Sequence, residues 1–550
     1  EQREAAQSLV GPTCILAGAG TGKTRTITHR IAYGIARGYY AANRVLALTY
    51  TNRAAGELRA RLRSLGIPGV SVKTFHAAAL SQLEYFWPQF AGVPAPSVIE
   101  SKARLISQVA QEAKINLDNP SIRDLAAEIE WRKFSMLSLE EYADRISTRP
   151  TVGGLSPAKN LELQKAYEDA KIKSQKVDWE DVLILTLGML RAEPRALAHV
   201  QQQYRFFTVD EYQDISPLQH ALLDCWLGEH TDLCVVGDPN QTIYSFTGAT
   251  SEYLLSFGSR YDQAKVVELT RNYRSTQQII ALANRLTAES KIEQLESQGE
   301  IGFAPTFKAF ESLTDEAAYV AASIQERIAS GTRPSQIAVL YRINGQAEAF
   351  ENALGQQNIG YQVRGGERFF ARPEIQSAMR SVRAEAISNN EKQLFEAVSD
   401  ICRTHGWQTQ PPTDPGASRE KWEALTAFLG IVEELPEEAT LADFAKELEE
   451  RQRSQHEPVK EAVTLSTIHA AKGLEWDYVY VIGVSEGYLP IGYAKTEPEI
   501  YEEQRLLYVA LTRARKELAI SFAKRDAIGL REREPSRFIK ILQIGNRTAA

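Results

Sequence analysis

Phosphate chemistry is indicated by a glycine-rich stretch near the start of the chain, Gly18-Ala19-Gly20-Thr21-Gly22-Lys23-Thr24-Arg25. An apolar run opening at Cys14 predicts a buried strand before it, and residues 24–38 predict a helix after it. The backbone N–H groups of such a loop and the positive end of the helix point into one concavity, which suits a polyphosphate. Lys23 would reach the outer phosphates and Thr24 a Mg²⁺ ion. The usual pattern begins with Gly, and Ala17 stands at that place.

Two carboxylates, Asp210 and Glu211, follow another apolar run that ends at Val209. The C-terminal end of a strand lies on the ligand edge of an open α/β sheet, where the glycine-rich loop also opens. Asp210 could hold Mg²⁺ through water, and Glu211 could orient and deprotonate an attacking water molecule. An isolated acidic pair is more simply a polar turn. Beside the phosphate loop, the pair predicts a nucleotide hydrolase.

The elements that would position these groups alternate between strand and helix, which predicts an α/β fold with parallel sheets. The predicted strands fall into two runs, 44–48, 70–75, 206–210, 233–238 and 266–269, and then 337–341, 361–363, 463–467, 478–482 and 518–521. Helical periods replace the alternation at about 101–173, with Trp131 and Tyr142 as core candidates, and again at about 379–459. The sequence therefore predicts two α/β units, each interrupted once.

Composition sets the broad class of the protein. The 550 residues are 43% hydrophobic and 24% charged, and a soft prior of about 150 residues per domain gives three or four domains. The net charge of −7 argues against a uniformly basic nucleic-acid binder, so any such contact must come from local patches and stacking side chains. Four cysteines without CxxC spacing indicate buried thiols. No membrane span or signal peptide is visible, so we expect a cytoplasmic protein.

The glycine-rich loop and the carboxylate pair are the first two of a series of motifs. With these motifs, the chain resembles the UvrD/Rep/PcrA family of superfamily 1A DNA helicases over nearly its whole length. The further motifs are Gln2 with Ala5-Ala6, Leu48-Thr49-Tyr50-Thr51-Asn52-Arg53-Ala54-Ala55, Thr74-Phe75-His76, Val236-Gly237-Asp238-Pro239-Asn240-Gln241-Thr242-Ile243-Tyr244-Ser245-Phe246, Leu269-Thr270-Arg271-Asn272-Tyr273-Arg274-Ser275, Thr467-Ile468-His469-Ala470-Ala471-Lys472-Gly473-Leu474-Glu475 and Glu503-Gln504-Arg505-Leu506-Leu507-Tyr508-Val509-Ala510-Leu511-Thr512-Arg513-Ala514. Residues 473–477 and 489–491 are similar to an actinobacterial UvrD-like branch.

The resemblance implies an ATP site with Mg²⁺ held by Thr24 and Asp210, and with Lys23 and Glu211 as catalytic residues. It assigns the remaining nucleotide contacts as follows: Gln2 reads adenine, Gly18 to Arg25 hold the phosphates, Tyr273 stacks on the base, Glu475 accepts a ribose hydroxyl, Gln241 senses the γ-phosphate, and Arg274 and Arg513 are arginine fingers. ATP would then lie between the two α/β units, and its hydrolysis would move them.

Single-stranded DNA would be gripped by aromatic side chains in loops that follow strands, because exposed rings stack on bases without reading sequence. These rings are Tyr50, Phe75, Tyr244 and Phe246. Core packing is the alternative for these rings, and it is a stronger alternative for Phe75 than for Phe246. The resemblance adds residues that contact the backbone or bases of the strand, namely Thr51, Asn52, His76, Arg342, Asn344 and His469. We expect single strands and single/double-strand junctions as binding partners. Repair-protein partners and dimerisation stay open.

The resemblance also implies domain bounds and shows departures from the family. RecA-like P-loop domain 1A would take 1–95 and 174–271, helical insertion 1B 96–173, RecA-like domain 2A 272–378 and 460–550, and helical insertion 2B 379–459. Phe246-Thr247 stands where the family usually has Trp-Arg. Insertion 2B is short, so either loops are missing from this sequence or this branch has a reduced subdomain. The C-terminal extension of many relatives is also absent.

The leading functional hypothesis is an ATP-driven 3′-to-5′ DNA helicase and translocase acting in repair, with polarity implied by the resemblance. An alternative is a single-stranded DNA translocase that strips proteins and unwinds weakly. The ATPase part of a helicase–nuclease is a third, although no nuclease cluster of carboxylates and lysine follows Arg537. A non-enzymatic DNA-binding module is least favoured, because every expected phosphate-handling position carries a competent residue.

Overall fold

The computed structural model describes residues 1–117, 119–149, 152, 155–290, 292–343, 346–364, 370, 372–387, 392–410, 424–426, 428–436, 438–454, 461–492, 494–525 and 532–543. By contacts, the chain divides into two compact units. The first comprises Glu1–Gly18 and Gly22–Leu269, and the second Ala19–Thr21 and Thr270–Ala550. The bounds of the four predicted domains stay a prediction.

The first unit is built on a parallel sheet of six strands within the described residues. Its strands are β1 (Thr13–Ala17), β2 (Val45–Thr49), β3 (Ser71–Thr74), β6 (Phe206–Val209), β7 (Leu233–Gly237) and β8 (Lys265–Leu269), and β4 (Ser97–Val98) pairs separately with β5 (Lys176–Val177). The order is β3-β2-β6-β7-β1-β8. Strand β1 lies beside β7, and β7 beside β6. The loops that leave these three strands therefore share one edge of the sheet.

Helices cover both faces of this sheet and form the first insertion. Their bounds are Gln2–Gln7, Lys23–Ala36, Asn52–Ser64, Phe75–Ala91, Lys102–Glu112, Asn119–Phe134, Leu139–Arg145, Pro157–Lys173, Trp179–Ala192, Pro194–Gln203, Pro217–Leu227, Glu252–Leu255 and Phe257–Arg260. Strands β2, β6 and β7 are buried on both faces, as parallel strands between helix layers must be. The helices between 102 and 173 enclose a separate apolar cluster, which includes Leu125, Leu163 and Tyr167.

The second unit repeats the plan, with a second six-stranded parallel sheet among its described residues. Its strands are β11 (Thr306–Phe310), β12 (Ile337–Tyr341), β13 (Tyr361–Arg364), β14 (Val463–Thr467), β15 (Trp476–Val481) and β16 (Ala514–Ala523), after the short pair β9 (Arg271–Asn272) and β10 (Glu296–Ser297). Its helices are Gln277–Leu286, Leu313–Ala329, Ala347–Gln356, Pro373–Ile387, Leu394–Thr404, Leu441–Ser454, Glu497–Leu511 and Arg537–Gln543. The order is β11-β16-β15-β12-β14-β13. The predicted α/β fold of two RecA-like units with parallel sheets is confirmed.

A buried ionic hub joins the first insertion to the helix Trp179–Ala192. Lys133 and Lys171 place their ammonium nitrogens 2.7 and 3.0 Å from Oδ2 of Asp178. Asp178 and both lysines are almost fully buried. Asp178 also caps the helix, because its Oδ1 accepts the N–H of Asp181 at 2.9 Å. Burial opposes this charge, but the two lysines hold the pKa of Asp178 well below its usual range. The hub therefore fixes the insertion helices onto the first unit.

Tyr142 is fully buried, as predicted for a core residue, and its hydroxyl donates to Glu128 at 3.0 Å. Trp131 is only half-buried, and the Arg149 guanidinium lies 3.5 Å from the centre of its ring. All four cysteines are free, and three are buried. Among the described residues, no helix has both the length and the apolar character that crossing a bilayer requires.

Candidate active site

The glycine-rich loop connects β1 to the helix Lys23–Ala36, as the sequence predicts. Gly22 caps the helix in the left-handed region at φ +87°, where other residues are strained. A Cβ on Gly22 would lie 2.7 Å from Nε2 of Gln2, so only glycine lets the Gln2 amide pack against the loop. Lys23 curls back, and its ammonium donates to the carbonyl oxygens of Ala17 at 3.0 Å and Gly18 at 3.4 Å. The Lys23 charge is therefore held inside the concavity of the loop.

The tip of the loop, Ala19–Thr21, is grouped by its contacts with the second unit. Asn272 donates from Nδ2 to the carbonyl oxygen of Ala19 at 2.7 Å, and the N–H of Tyr273 donates to the carbonyl oxygen of Gly20 at 3.0 Å. A Cβ on Gly20 would lie 2.3 Å from Nδ2 of Asn272. Glycine at position 20 is thus required by this close approach as well as by its φ of +69°.

The predicted catalytic carboxylates leave the end of β6. The N–H of Asp210 donates to the carbonyl oxygen of Leu48 at 2.8 Å, which continues the sheet by one residue. Glu211 then takes a left-handed conformation at φ 54°, and its N–H donates to Oδ1 of Asp210 at 3.0 Å. Burial and the neighbouring Glu211 charge raise the pKa of Asp210 to about 7, whereas Lys23 acts against this shift. A cation beside Asp210 would restore its charged form.

The candidate γ-phosphate sensor leaves the end of the adjacent strand β7. Gln241 is buried and donates from Nε2 to Oδ2 of Asp238 at 2.7 Å. The other carboxylate oxygen of Asp238 accepts the N–H of Asn240 at 3.0 Å. Burial raises the pKa of Asp238, and Lys23 opposes the shift. Asp238 therefore orients the Gln241 side chain at the sheet edge from which Asp210 and Glu211 also project.

The second unit holds the predicted ribose acceptor and one predicted finger in direct contact. Nε of Arg274 lies 2.5 Å from Oε2 of Glu475, and Nη1 of Arg274 donates to the carbonyl oxygen of Thr512 at 3.4 Å. Arg515 lies 3.6 Å from the other oxygen of Glu475. Tyr273 precedes Arg274 and exposes 57% of its surface, as a ring available for stacking would. These residues form one cluster in the second unit.

Arg513, the other predicted finger, is fully buried. Its Nε donates to the carbonyl oxygen of Val509 at 2.9 Å, and Nη1 to that of Leu474 at 3.1 Å. Nη2 also donates to the Thr512 hydroxyl at 3.1 Å. Three fixed acceptors hold the planar guanidinium in one orientation, so little side-chain entropy is left to lose when it binds an anion.

Three of the four predicted stacking rings lie together in the first unit. Tyr50 and Tyr244 stack with centroids 5.5 Å apart, and Phe246 meets Tyr244 at 6.1 Å with its plane tilted by 64°. Phe246 is 51% exposed and Tyr50 39%. Only three residues lie between Gln241 and Ser245, which opens the short 3-10 turn Ser245–Thr247. Two of the predicted stacking rings, Tyr244 and Phe246, therefore share one short segment with the predicted γ-phosphate sensor. Thr51 caps the next helix by accepting the N–H of Ala54 at 3.1 Å, and Asn52 is exposed.

Phe75 does not fit the prediction of a ring that stacks on DNA. The predicted strand 70–75 ends at Thr74, whose hydroxyl caps the helix Phe75–Ala91 by accepting the N–H of Ala77 at 3.2 Å. The chain turns at this cap, so the Phe75 side chain points into the core. It is 5% exposed and stacks on the buried Trp226 with centroids 6.0 Å apart. The core-packing interpretation is the one that the structure supports.

His76 meets two rings at right angles, Phe134 at 6.1 Å and Trp179 at 6.0 Å. Burial lowers the pKa of His76 to about 4, with a smaller contribution from Lys102, so the imidazole is neutral near pH 7. Trp179 opens its helix and is 47% exposed. Sequence reasoning missed Trp179 as a candidate base-stacking residue. The available signal was its position between the acidic residues Asp178 and Glu180 at a helix start, where a core tryptophan is unexpected.

The predicted strand contacts of the second unit differ from one another. Arg342 is paired with the buried Glu503, with Nη2 of Arg342 2.9 Å from Oε1 and with exposed fractions of 12% and 7%. Its charge is therefore largely used inside the unit, and the contact of Arg342 with DNA stays a prediction. His469 is half-buried, and burial followed by the Arg342 charge lowers its pKa to about 3. Asn344 lies outside the described residues.

The residues present fit a magnesium nucleotide. Mg²⁺ is usually held by one or two carboxylates together with phosphate oxygens and water. Asp210 would supply a carboxylate oxygen and Thr24 a hydroxyl oxygen to such an ion, and the Lys23 charge also acts on Asp210. No group of three or more His, Cys, Asp and Glu side chains that could hold a metal ion occurs in the described part of the chain. The left-handed Gly20 and Gly22 shape the concavity in which phosphates would lie.

Comparison with known proteins places this geometry in a family. The model of the UvrD/REP helicase N-terminal domain matches residues 1–262, and that of the UvrD-like helicase C-terminal domain matches 267–413 and 388–525. The ATP-dependent DNA helicase UvrD2 of Mycobacterium tuberculosis (strain H37Rv) is 44% identical over 565 residues, which covers 98% of this chain and 80% of the relative. The ATP-dependent DNA helicases PcrA of Bacillus subtilis (strain 168) and Rep of Escherichia coli (strain K12) are each 28% identical, covering 98% of this chain and 84% and 93% of those relatives. The chain therefore belongs to the UvrD/REP helicase family and is similar to the actinobacterial UvrD-like branch.

Proposed function

We propose that this protein uses ATP with Mg²⁺ to move along single-stranded DNA in the 3′-to-5′ direction and to separate duplex during DNA repair. It is an ATP-dependent DNA helicase of the UvrD, PcrA and Rep type, and the direction, the repair role and the metal ion are the proposed parts. Gln241 carries the argument, because the segment that contains it continues into Tyr244 and Phe246. A change at the γ-phosphate would thus reach a base-stacking ring through a few residues of backbone.

In this proposal each residue has a role in binding or hydrolysis. Gln2 and Tyr273 bind the base, Glu475 the ribose, and Lys23 with the glycine-rich loop from Gly18 to Arg25 the phosphates. Thr24 and Asp210 hold the metal ion, and Glu211 takes the proton of the attacking water. Arg274 and Arg513 neutralise charge on the transferring phosphoryl group.

The DNA surface of the first unit consists of Tyr50, Tyr244, Phe246, Thr51, Asn52 and His76, to which the geometry adds Trp179. Each exposed ring can contribute roughly 1–3 kcal/mol by stacking on a base, without sequence preference. Phe75 is left out because it is buried. In the second unit, His469 is half-buried and Arg342 is paired with Glu503, so most of the exposed ring area for stacking lies in the first unit.

Unwinding of matched duplexes with a 3′ or a 5′ single-stranded tail tests the direction. We expect ATP-dependent strand separation on the 3′-tailed duplex and little on the 5′-tailed one, with EDTA abolishing both activity and hydrolysis. Lys23→Ala is the inactive control, since it should lose hydrolysis while it retains affinity for single strands. Preference for the 5′ tail would refute the direction, and DNA-stimulated turnover by Lys23→Ala would refute the site.

A translocase that removes bound proteins and unwinds weakly is the second candidate. The observation that favours it is Phe246-Thr247, where the family usually has Trp-Arg, because a smaller ring and a lost cation weaken the grip on the strand. Displacement of streptavidin from a biotinylated single strand, measured beside unwinding, distinguishes the two. Fast displacement of streptavidin, with strand separation at less than a tenth of that rate at the same ATP concentration, would favour the translocase.

A further inference from the structure

A chain of buried hydrogen bonds connects the two strand ends that carry the candidate site of the first unit. Gln213 lies in the 3-10 turn Tyr212–Asp214 after β6 and is fully buried. Its Nε2 donates to Oε2 of Glu211. Its Oε1 accepts the N–H of Asp238, which follows β7, at 3.0 Å. One amide therefore bridges the proposed general base and the strand end that holds the sensor.

The chain continues from Asp238 to the sensor itself. Oδ2 of Asp238 accepts Nε2 of Gln241 at 2.7 Å, and both residues are buried. Glu211, Gln213, Asp238 and Gln241 thus form one continuous series, which we call the amide relay. All four belong to the first unit. The relay crosses from β6 to β7, which are neighbours in the sheet with Val209 paired to Val235.

The backbone is shaped to admit Gln213 at this point. A Cβ on Gly237 would lie 2.5 Å from Oε1 of Gln213 and 3.2 Å from its backbone nitrogen. The φ of Gly237 is not in the left-handed region, so space rather than conformation requires glycine there. Glu211, in contrast, takes a left-handed φ of 54°, which a carboxylate residue adopts only where its surroundings fix it. The missing Cβ at Gly237 leaves room for the bridge that Gln213 makes and for the packing of Leu254.

We infer that Gln213 is a positioning residue that couples the water-activating Glu211 to the nucleotide-sensing loop through Asp238 and Gln241. This inference rests on the proposed function, because it takes the roles of Glu211 and Gln241 from it. A buried amide whose donor and acceptor are both used has one orientation, since turning it over would place like groups against each other. A shift of Gln241 on loss of the γ-phosphate therefore changes the hydrogen bond that orients Glu211.

Two substitutions in the full chain separate this role from general stability. Gln213→Leu keeps the volume and removes both bonds. Gln213→Glu keeps an acceptor for the N–H of Asp238 but replaces the donor to Glu211 with a repelling charge. Gln219→Leu is the matched control, because Gln219 is also buried and hydrogen-bonded, six residues further on, but only completes the cap of its own helix with Ser216.

The measurements are kcat and KM of the DNA-stimulated ATPase, and the ratio of single-strand dissociation constants with ADP and with a non-hydrolysable ATP analogue. For Gln213→Leu we expect kcat to fall on the order of 10²-fold, as for a misplaced general base, with KM for ATP within about threefold of the original. The nucleotide dependence of DNA affinity should weaken as well, because the N–H of Asp238, which holds Gln241, loses its acceptor. Gln213→Glu should lose kcat equally but keep the nucleotide-dependent affinity, and Gln219→Leu should keep both.

Turnover of Gln213→Leu within threefold of the original protein would overturn the inference, as would equal behaviour of the Gln213→Glu and Gln213→Leu variants in the affinity ratio. If Gln213→Leu fails to fold by circular dichroism, Gln213→Glu alone decides through the split between turnover and affinity. An original protein whose ATPase ignores single strands would instead refute the proposed function.

Discussion

At the scale of single residues, the candidate site uses burial to set charge. Lys23 is the cation that opposes the raised pKa values of both Asp210 and Asp238. The two histidines proposed to face DNA are neutral for the same reason, since burial lowers the pKa of His76 to about 4 and that of His469 to about 3. Attraction to phosphate therefore has to come from other groups.

DNA affinity should not gain from protonation of His76 between pH 5.5 and 8. A histidine with an ordinary pKa of about 6.5 would become cationic in this window and bind phosphate more tightly as the pH falls. Because its pKa is lowered, His76 stays neutral until the pH approaches its folded-state value. His76→Gln should shift single-strand affinity by the same factor at every pH, as measured by fluorescence anisotropy. A His76-dependent rise in affinity on acidification would contradict this assignment.

At the scale of elements, the helix cap at Thr74 turns the chain so that the Phe75 side chain packs in the core. The sequence predicts most strands to within one or two residues, because parallel strands buried on both faces are continuous apolar runs. It cannot show where a run ends in a cap, and for this reason Phe75 was assigned to the DNA surface. It also missed β11, an edge strand whose residues are mainly half-buried or exposed and thus lack an apolar run.

Paired alanine substitutions at Phe246 and Phe75 test this distinction. Phe246→Ala should reduce unwinding more than ATP hydrolysis and leave the melting temperature nearly unchanged, because the ring is half-exposed. Phe75→Ala should instead cost about 3–5 kcal/mol of stability, the usual loss for a buried phenylalanine. Thermal melts beside both activities provide the comparison. Equal losses of unwinding and hydrolysis in Phe246→Ala would show that this ring serves packing.

The ionic hub should behave as a structural part rather than a surface pair. Asp178→Asn removes the most deeply buried of the carboxylates that pair with Lys133 and Lys171. Breaking a buried pair costs about 3–5 kcal/mol, and the carboxylates that remain should keep the loss toward the lower end of that range. Glu100→Gln is the control, because the Glu100–Arg104 pair is exposed at 82% and 80% and such pairs contribute about 0–1 kcal/mol. Hydrogen exchange in 102–173 measures the effect. Equal protection from hydrogen exchange in both variants would show that the hub does not hold the insertion helices in place.

At the scale of the whole molecule, the proposed nucleotide residues are divided between two units. Lys23, Thr24, the carboxylates and the amide relay belong to the first, and the loop tip Ala19–Thr21 is grouped with the second. The second unit also holds Tyr273, Arg274, Glu475 and Arg513. Order along the chain and the family resemblance predicted this division. The contacts of Arg274 with Glu475 and of Arg342 with Glu503 join positions about 200 and 160 residues apart. No local sequence pattern predicts such contacts.

Arg274→Ala in the full chain tests whether the second unit contributes to hydrolysis. We expect turnover to fall on the order of 10³-fold, as for loss of an arginine finger. ATP affinity should fall much less, because the phosphate loop is intact. Arg380→Ala removes an exposed guanidinium of the same unit and should leave turnover unchanged in a coupled phosphate-release assay. A loss below tenfold in Arg274→Ala would identify Arg274 as a structural residue.

The seclusion of Asp178, Lys133 and Lys171 from water also secludes them from dissolved ions. Sodium and chloride screen the attraction between exposed charged groups, so affinity for a polynucleotide backbone falls steeply as the salt concentration rises. The ionic hub is buried, so the attraction between its lysines and Asp178 is screened much less. A high salt concentration should therefore dissociate nucleic acid from the purified protein without unfolding it. Dilution to low salt should restore its DNA-stimulated activity.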